Sequence, residues 1–297
     1  MKGKKSNLYN LLAILVVMVW GLTFISTKVL IISGLSPEEI FVFRFLIAYV
    51  GIWCFSPRKL FANSWKDEMW LILGGITGGS LYFWAENQAL GITQASNVAF
   101  IVCTAPLFTA IFARMLYKGE RTGRNLIIGS LLALTGMAFV VYNGSFVLKL
   151  SPVGDLLSLV AAVVWALYSL IMRKLSDRYD TLFITRKIFF YGLLTILPVF
   201  IFSPWQTDFS LLIQPSVLLN LLFLGVIASL ICYALWNVIL KHLGTVRASN
   251  YIYLNPLFTL LGSALWLQER ITYLAIIGSA FIIIGVYLAG KKNSIKN

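Results

Sequence analysis

The sequence ERTGRNLIIGS at residues 120–130 recurs as ERITYLAIIGS at residues 269–279, with six of the eleven positions identical. Each copy opens an apolar stretch, and each is preceded by a second shared phrase, PLFT, at residues 106–109 and 256–259. Two phrases that recur in the same order are typical of an internal duplication. We therefore interpret the chain as two related halves.

The two halves also share an opening pattern. A cation follows Trp20 by eight residues, and another cation follows Trp165 by the same interval. Together with the recurring phrases, this pattern places a first repeat at residues 8–142 and a second repeat at residues 152–290.

The composition predicts a membrane protein. Only 12% of the 297 residues are charged and 59% are hydrophobic, whereas soluble domains carry about 25% charged residues. The mean hydropathy is +0.86. Crossing a hydrocarbon core of about 30 Å takes about 20 apolar residues. We therefore predict an all-α integral membrane fold of ten transmembrane helices, at residues 8–29, 38–56, 70–90, 96–117, 124–142, 152–173, 181–202, 217–240, 245–267 and 272–290.

Lysine and arginine are distributed unevenly between the predicted loops. With the N-terminus inside, seventeen of them fall in cytoplasmic segments and three on the opposite side. Excess positive charge in short cytoplasmic loops is the orientation signal of helical membrane proteins. We therefore expect a multi-pass protein of the cell membrane with both termini cytoplasmic. The net charge of +13 then reflects orientation, and we expect no nucleic-acid partner.

The predicted repeats have opposite orientations. Each holds five helices, and because five is odd, the second repeat enters the membrane from the other side. The first copy of the recurring phrase, at residues 120–130, has Lys118, Arg121 and Arg124 within it or beside it. The second copy, at residues 269–279, has only Arg270. This difference is the one expected if the first copy lies inside and the second outside. We therefore predict two inverted five-helix repeats.

Longer phrases in the two halves resemble a known family. They are WGLTFISTKV at residues 20–29, APLFTAIFARMLYKGER at 105–121, GDLLSLVAAVVWALYSLIMRKL at 154–175 and NPLFTLLGSALWLQER at 255–270, together with Arg44. In this order they resemble the EamA-type members of the drug/metabolite transporter superfamily, over nearly the whole chain. The resemblance implies a ten-helix metabolite carrier, often an exporter of amino acids or related compounds, with a central cavity between the repeats.

Two ionisable residues within predicted spans are candidates for a charge site. Glu86 and Arg44 both lie toward the outer side, and charges inside a bilayer usually face the interior of the helix bundle. Glu86 is a candidate proton carrier or contact for a substrate amine, and Arg44 a candidate contact for a substrate carboxylate. The alternatives are an ion pair between them that only fixes helix packing, or an Arg44 side chain that extends to the headgroups.

Other cations and the cysteines are given structural roles. Cys54, Cys103 and Cys232 are single, widely spaced and within spans, which fits packing and gives no paired spacing for a metal or redox site. Arg114, Arg186 and Lys187 lie near span ends, where long cationic side chains can reach the headgroups. The only histidine, His242, has no spaced partner for metal binding. We expect neither a metal nor a cofactor.

Aromatic residues deep in the spans are candidates for binding a small organic substrate. Tyrosine and tryptophan combine an apolar face with a hydrogen-bonding tip. Lipid-facing or core packing is the alternative for each of them. The candidates are Trp20, Tyr82, Trp84, Trp165, Tyr168, Tyr233 and Trp236.

Amide residues and prolines add to the predicted site. Asn87, Asn97, Asn237 and Asn250 would leave unpaired polar groups if they faced lipid, so they point to a shared polar cavity or to hydrogen bonds between helices. Proline removes a helical hydrogen bond, and matched breaks near the midplane mark binding sites in inverted-repeat carriers. Pro106 and Pro256 are therefore predicted helix kinks, with packing as the alternative.

These features favour a secondary transporter over an enzyme. An enzyme would need an acid/base pair, a nucleophile or a metal cluster, and the sequence offers none of these in recognisable form. An ATP-driven pump is also disfavoured, because no GxxxxGK[ST] loop is present. We expect a monomer in contact with membrane lipids that exports a small-molecule metabolite such as an amino acid, with protons as a further candidate partner. Drug, nucleoside or sugar-conjugate transport is the alternative.

Overall fold

The computed structural model describes residues 2–56, 58–93, 95–117, 123–142, 151–266 and 271–290. These residues form helices joined by short turns, and no β-strand occurs among them. Glu120, Arg121, Glu269 and Arg270 of the recurring phrases lie outside the described residues. Their place at the ends of spans stays a prediction.

The first half consists of helices with one π-helical joint. The π-helical segment Ile76–Ser80 continues α3 into α4. The helices are α1 (Lys2–Ile32), α2 (Pro37–Ile52), α3 (Trp65–Gly75), α4 (Leu81–Ile92), α5 (Ala95–Val102), α6 (Ala105–Leu116) and α7 (Arg124–Tyr142).

The described part of the second half is also helical, with one π-helical and two 3₁₀ segments. The π-helical segment Phe223–Ile231 joins α11 to α12, and the 3₁₀ segment Asn250–Leu254 joins α13 to α14. A further 3₁₀ segment, Leu197–Ile201, continues α9. The helices are α8 (Pro152–Leu175), α9 (Thr181–Ile196), α10 (Phe209–Leu212), α11 (Pro215–Leu222), α12 (Cys232–Leu243), α13 (Thr245–Ser249), α14 (Asn255–Trp266) and α15 (Tyr273–Gly290).

Within the described residues, six helical stretches are long and apolar enough to cross a membrane. The chain is therefore a multi-pass membrane protein. Other predicted spans are helical but shorter, or are interrupted by π or 3₁₀ segments, so the count of ten stays a prediction. The six stretches are Asn7–Ile32, Asn97–Leu116, Pro152–Leu175, Thr181–Ile201, Pro215–Leu243 and Tyr273–Gly290.

The helices α7 and α15, which carry the two IIGS phrases, pack against each other through glycines. A Cβ atom on Gly278 would lie 2.5 Å from the carbonyl oxygen of Gly136, and one on Gly285 would lie 2.6 Å from that of Gly129. The earlier glycine of one helix faces the later glycine of the other, so α7 and α15 run antiparallel. Small residues let membrane helices approach this closely. Each copy of the phrase therefore contacts the helix that carries the other copy, at the glycine seven residues beyond that copy's own glycine.

The glycines before α4 serve a similar close contact. A Cβ atom on Gly75 would lie 3.0 Å from the backbone nitrogen of Gly192 in α9, and one on Gly79 would lie 3.1 Å from its Cα atom. Gly79 also has non-helical backbone angles, φ −128° and ψ −105°, within the π segment. Segments of this kind often occur at functional sites. Here the π segment leads directly into α4, which carries Tyr82 and Glu86.

Candidate functional site

A small cavity of about 30 Å³ lies in the middle of the helix bundle. It is bordered by α1, α2, α4, α8, α12 and α14, so both halves of the chain contribute to it. Six of the residues named from the sequence lie on its wall, namely Trp20, Arg44, Tyr82, Glu86, Trp165 and Tyr233.

Aromatic rings from both halves form much of this wall. The ring centroids of Trp20 and Trp165 are 5.3 Å apart at an interplanar angle of 89°, so the two matched tryptophans meet edge to face. Tyr82 lies 4.9 Å from Trp165, and Tyr233 lies 5.8 Å from it. The indole N–H of Trp20 donates to the carbonyl of Ala228 at 3.1 Å. Packing of this kind stabilises aromatic pairs by about 0.5–1.5 kcal/mol beyond area burial.

The indole nitrogen of Trp165 is different. It is buried, and it has no hydrogen-bond partner among the described residues. A buried donor without a partner costs about 1–3 kcal/mol. Because Trp165 lines the cavity, this N–H is available to a polar group of a bound molecule.

Glu86 and Arg44 carry opposite charges on the same cavity. Both are buried, with 6% and 2% of their surfaces exposed, so the Arg44 side chain does not extend to the headgroups. The Glu86 carboxylate accepts a hydrogen bond from the Tyr82 hydroxyl at 2.7 Å. The Arg44 Nε donates to Ser229 at 3.0 Å, and its guanidinium lies 4.1 Å from the centre of the Phe83 ring.

The direct ion pair considered from the sequence does not form between these two side chains. The ion pairs within 4.0 Å in the described part of the chain are Arg178 with Asp67 and Lys187 with Glu68. Glu86 and Arg44 therefore face one cavity from different helices, each held by a neutral hydroxyl group.

A hydrogen-bonded layer lies on one side of the cavity. The Tyr168 hydroxyl donates to Asn237 Oδ1 at 2.6 Å, and the Asn237 amide donates to Thr185 at 2.9 Å. Tyr168 lies one turn beyond Trp165 along α8, Asn237 lies one turn beyond Tyr233 along α12, and Thr185 lies near the start of α9. All three are fully or almost fully buried. The layer therefore separates the cavity from the face of the molecule at which α1 begins.

The remaining candidates from the sequence lie away from the cavity wall. Trp84 is half-buried against the core, and Trp236 is fully buried, 5.0 Å from Trp20 between ring centroids. The amide of Asn87 donates to the Pro37 carbonyl at 3.1 Å. These contacts are packing or helix-to-helix bonds, which were the alternatives for these residues.

Asn97 and Asn250 are also buried between helices. The Asn97 amide donates to Asp155 at 2.5 Å, so it ties α5 to the start of α8. Asn250, with 2% of its surface exposed, begins the 3₁₀ segment before α14. Neither residue borders the cavity.

The two prolines stand directly after matched interruptions. Pro106 is in the first turn of α6, which begins at Ala105 after α5 ends at Val102. Pro256 follows the 3₁₀ segment that precedes α14. Val102, Ala105, Ile252 and Asn255, which flank these interruptions, line the cavity.

Some residues of the cavity wall were not singled out from the sequence. Thr23 and Phe24 follow Trp20 by three and four residues, which places them on the same face of α1. That spacing from Trp20 could have predicted both residues from the sequence. Ser229, the partner of Arg44, lies in a π-helical segment, where the helical period that would have predicted its direction does not hold.

Arg186 and Lys187 require a correction. We expected both side chains to extend to the headgroups, but they are 2% and 4% exposed. Lys187 forms an ion pair with Glu68 and donates to the Leu60 carbonyl at 3.0 Å, while Arg186 donates to the Lys59 carbonyl and lies 4.3 Å from the Trp53 ring centre. The segment before α3 supplies carbonyl acceptors, and α3 itself supplies Glu68, which the prediction did not include.

Glu68 lies before the span predicted to begin at residue 70, and its carboxylate is well satisfied. Burial alone would raise its pKa. Hydrogen bonds from Lys187, from Tyr191 and from the Ala62 N–H outweigh that effect, so the pKa of Glu68 lies below its ordinary value. The neighbouring Asp67 accepts from the Tyr179 hydroxyl at 2.8 Å, which lowers the pKa of its carboxyl group as well.

Comparison with known proteins gives a consistent result. An uncharacterized transporter of Archaeoglobus fulgidus is 28% identical over 95% of this chain and 97% of its own length. A probable amino-acid metabolite efflux pump of Escherichia coli K12 is 27% identical over 94% of this chain and 93% of its own. A probable terminal-alkyne amino-acid exporter of Streptantibioticus cattleyicolor is 24% identical over 94% of this chain.

The fold is also found among solved structures. One crystal structure superposes with a TM-score of 0.74 over 96% of this chain and 97% of the other, at 21% identity. The EamA-like transporter family matches residues 7–142 and 152–290, nearly the two halves marked by the recurring phrases. With a family of transporters matched along almost its entire length, the chain belongs to the EamA-like transporter family.

Proposed function

We propose that this protein is a secondary transporter that exports amino acids or related zwitterionic metabolites. Transport follows from family membership. The choice of substrate is supported by two relatives whose names refer to export of amino-acid compounds and by the charges in the cavity.

The observation that carries the proposal is the separation of Glu86 from Arg44. Both charged groups border one cavity, and no ion pair within 4.0 Å joins them in the described structure. The zwitterion of an α-amino acid carries an ammonium and a carboxylate on one carbon atom. It would bind with the ammonium on Glu86 and the carboxylate on Arg44, so that each buried charge receives the partner that a desolvated charge requires.

The aromatic wall would hold the rest of the substrate. Trp20, Trp165 and Tyr233 present apolar faces to the cavity, and a cation near such a face gains about 0.5–2 kcal/mol. The unpaired N–H of Trp165 would donate to the substrate carboxylate. These contacts favour a small organic molecule over an inorganic ion.

We propose further that ten helices form two inverted repeats, 8–142 and 152–290, with both termini cytoplasmic, which exchange access to the cavity. The antiparallel contact of α7 with α15, the π segments before α4 and α12, and the interruptions before Pro106 and Pro256 support this arrangement. Carriers with inverted repeats bind their substrate at the interface between the repeats, and transport involves the movement of one repeat relative to the other. The layer of Tyr168, Asn237 and Thr185 would then be the cytoplasmic gate, because it lies on the face where α1 begins.

Purified protein in liposomes provides the test. Counterflow of a labelled neutral amino acid is measured for the wild type, Glu86→Gln and Asp177→Asn, an exposed carboxylate that serves as the control. Losing a hydrogen bond to a charged group costs about 1.5–3 kcal/mol, which corresponds to about a ten- to hundredfold loss of apparent affinity. Equal transport by Glu86→Gln and Asp177→Asn would remove Glu86 from the binding site.

Arg44 is tested with altered substrates. The wild type should prefer an amino acid to the matching amine that lacks the carboxylate, and Arg44→Gln should lose this preference. An imposed pH gradient in the same vesicles tests Glu86 as a proton carrier. Gradient-driven export that persists in Glu86→Gln would contradict that role.

A further inference from the structure

A second space opens at the side of the bundle, away from the central cavity. This lateral groove of about 470 Å³ lies between α1, the segment from α13 to α14, and α15. Its wall is mostly apolar and includes Ile14, Phe258 and Ile283. Ile283 is 54% exposed, which places this side of the groove against the lipid chains of the membrane.

One end of the lateral groove is polar. Asn10 near the start of α1, Arg247 in α13 and Tyr251 border it there, and Gly290 ends α15 at the same level. This end therefore lies where α1 begins and α15 ends. The position corresponds to a membrane interface, with the apolar part of the groove extending toward the membrane interior.

Arg247 is poorly satisfied by the protein. Its Nε atom is buried and has no hydrogen-bond partner in the described structure. Its only hydrogen bond shown there is a long one, 3.4 Å from Nη2 to Asn10 Oδ1, whereas good bonds of this type measure about 2.7–3.2 Å. Neither of the two ion pairs in the described part of the chain includes Arg247. The guanidinium therefore retains donors for an external anion.

The surroundings add positive charge. His242 stacks on Tyr9 with ring centroids 4.2 Å apart, which brings the end of α12, with the exposed Lys241, beside the start of α1. In the sequence, Lys291 and Lys292 follow Gly290 directly. Basic pockets between transmembrane helices are known to bind anionic lipid headgroups, and arginine matches the geometry of a phosphate with two parallel hydrogen bonds.

We propose that the lateral groove binds an anionic phospholipid, with its phosphate on Arg247 and one acyl chain along the apolar wall. Because the wall is apolar, a purely hydrophilic anion is not the preferred ligand. The Arg247 guanidinium has no ion-pair partner in the described structure, so its charge favours an anionic lipid over a zwitterionic one. The site is separate from the central cavity and does not depend on the transported substrate.

Lipid binding to the purified full chain in a neutral detergent tests the proposal. The thermal midpoint and native mass spectra are recorded with phosphatidylglycerol, phosphatidylcholine or inorganic phosphate. Phosphatidylglycerol should raise the midpoint, because a ligand that binds only the folded state stabilises it. The other two should do so much less. Equal shifts with phosphatidylcholine, or the full shift with inorganic phosphate alone, would overturn the proposal.

Variants locate the site. Arg247→Gln should weaken phosphatidylglycerol binding at least tenfold, whereas Lys66→Gln, which removes an exposed cation at the start of α3, away from the lateral groove, should not change it. Ile283→Trp fills the groove without altering its charges and should also prevent binding, so the test does not depend on Arg247 alone. Wild-type affinity in both Arg247→Gln and Ile283→Trp would refute the assignment. The lipid-binding test does not depend on amino-acid transport, so failure of the proposed function would leave its result unaffected.

Discussion

Removal of the Lys187 ammonium should destabilise the protein strongly. In the ion pair with Glu68, the side chains of Lys187 and Glu68 are 6% and 4% exposed. Lys187→Met leaves the Glu68 carboxylate buried with only the Tyr191 hydroxyl and the Ala62 N–H as partners. Breaking a buried pair from one side costs about 3–5 kcal/mol.

The double variant separates this cost from general damage. Replacing both charges by neutral groups, as in Glu68→Gln with Lys187→Met, removes the uncompensated charge, and such replacements are often close to neutral. The loss in the double variant should therefore be smaller than the sum of the two single losses by more than about 1 kcal/mol, within the usual range for coupled residues.

Thermal unfolding in detergent micelles, followed by tryptophan fluorescence, measures the effect. A change of 1 kcal/mol shifts the midpoint by about 2–4 °C in chains of about 150–250 residues. Lys187→Met should therefore lower the midpoint by about 6 °C or more. Lys66→Met, at an exposed position beside the same network, is the control. A loss in Lys187→Met no larger than in Lys66→Met, or strictly additive losses, would refute the idea of a buried pair.

Three further predictions follow from other contacts. The folded-state pKa of Glu68 lies below its ordinary 4.5. The ionised Glu68 therefore stabilises the folded protein fully above pH 4.5, and this stabilisation is lost as the pH falls through the lowered pKa. On acidification, the thermal midpoint of the wild type should fall more than that of Lys187→Met. Gly136→Ala should lower the free energy of unfolding by about 1–3 kcal/mol through overpacking, since the added Cβ would lie 2.7 Å from a backbone nitrogen of α15. Gly91→Ala, which has open space around the added Cβ, is the control in thermal unfolding. Equal losses of stability in the two variants would argue against the close contact. Asn237→Ala removes two hydrogen bonds of the proposed gate, each contributing about 0.5–1.5 kcal/mol. In a protein that carries Thr23→Cys on the cavity wall, this cysteine should therefore be labelled faster from the cytoplasmic side. An unchanged labelling rate would speak against a gate there.

Much of the site could be predicted from the sequence because its residues are unusual within a bilayer. A charge or a deep aromatic side chain inside an apolar stretch is costly or conspicuous, so Glu86, Arg44, Trp20 and Trp165 could be named without a structure. All four border the cavity. For Asn97, the structure shows a hydrogen bond between helices, to Asp155, which was one of the two alternatives that the sequence left open.

Partners distant in the sequence could not be predicted. Lys187 was assigned to the headgroups because its own span offered no anion, yet Glu68 meets it from another helix. Ser229 holds Arg44 from a π-helical segment, where a regular helical period fails. In both cases the missing information is the position of one helix relative to another.

The sequence by itself determined that the chain is a helical membrane protein, and it shows phrases that recur in the two halves of the chain, since hydrophobicity and repetition are properties of local segments and survive without knowledge of the fold. Only the tertiary structure decided which polar groups meet. It separates Glu86 from Arg44 around a shared cavity, pairs Glu68 with Lys187, and leaves Arg247 facing the lateral groove. The physical reason is that a buried polar group takes its partner from whichever helix the packing brings within about 3 Å, and packing depends on all the helices together.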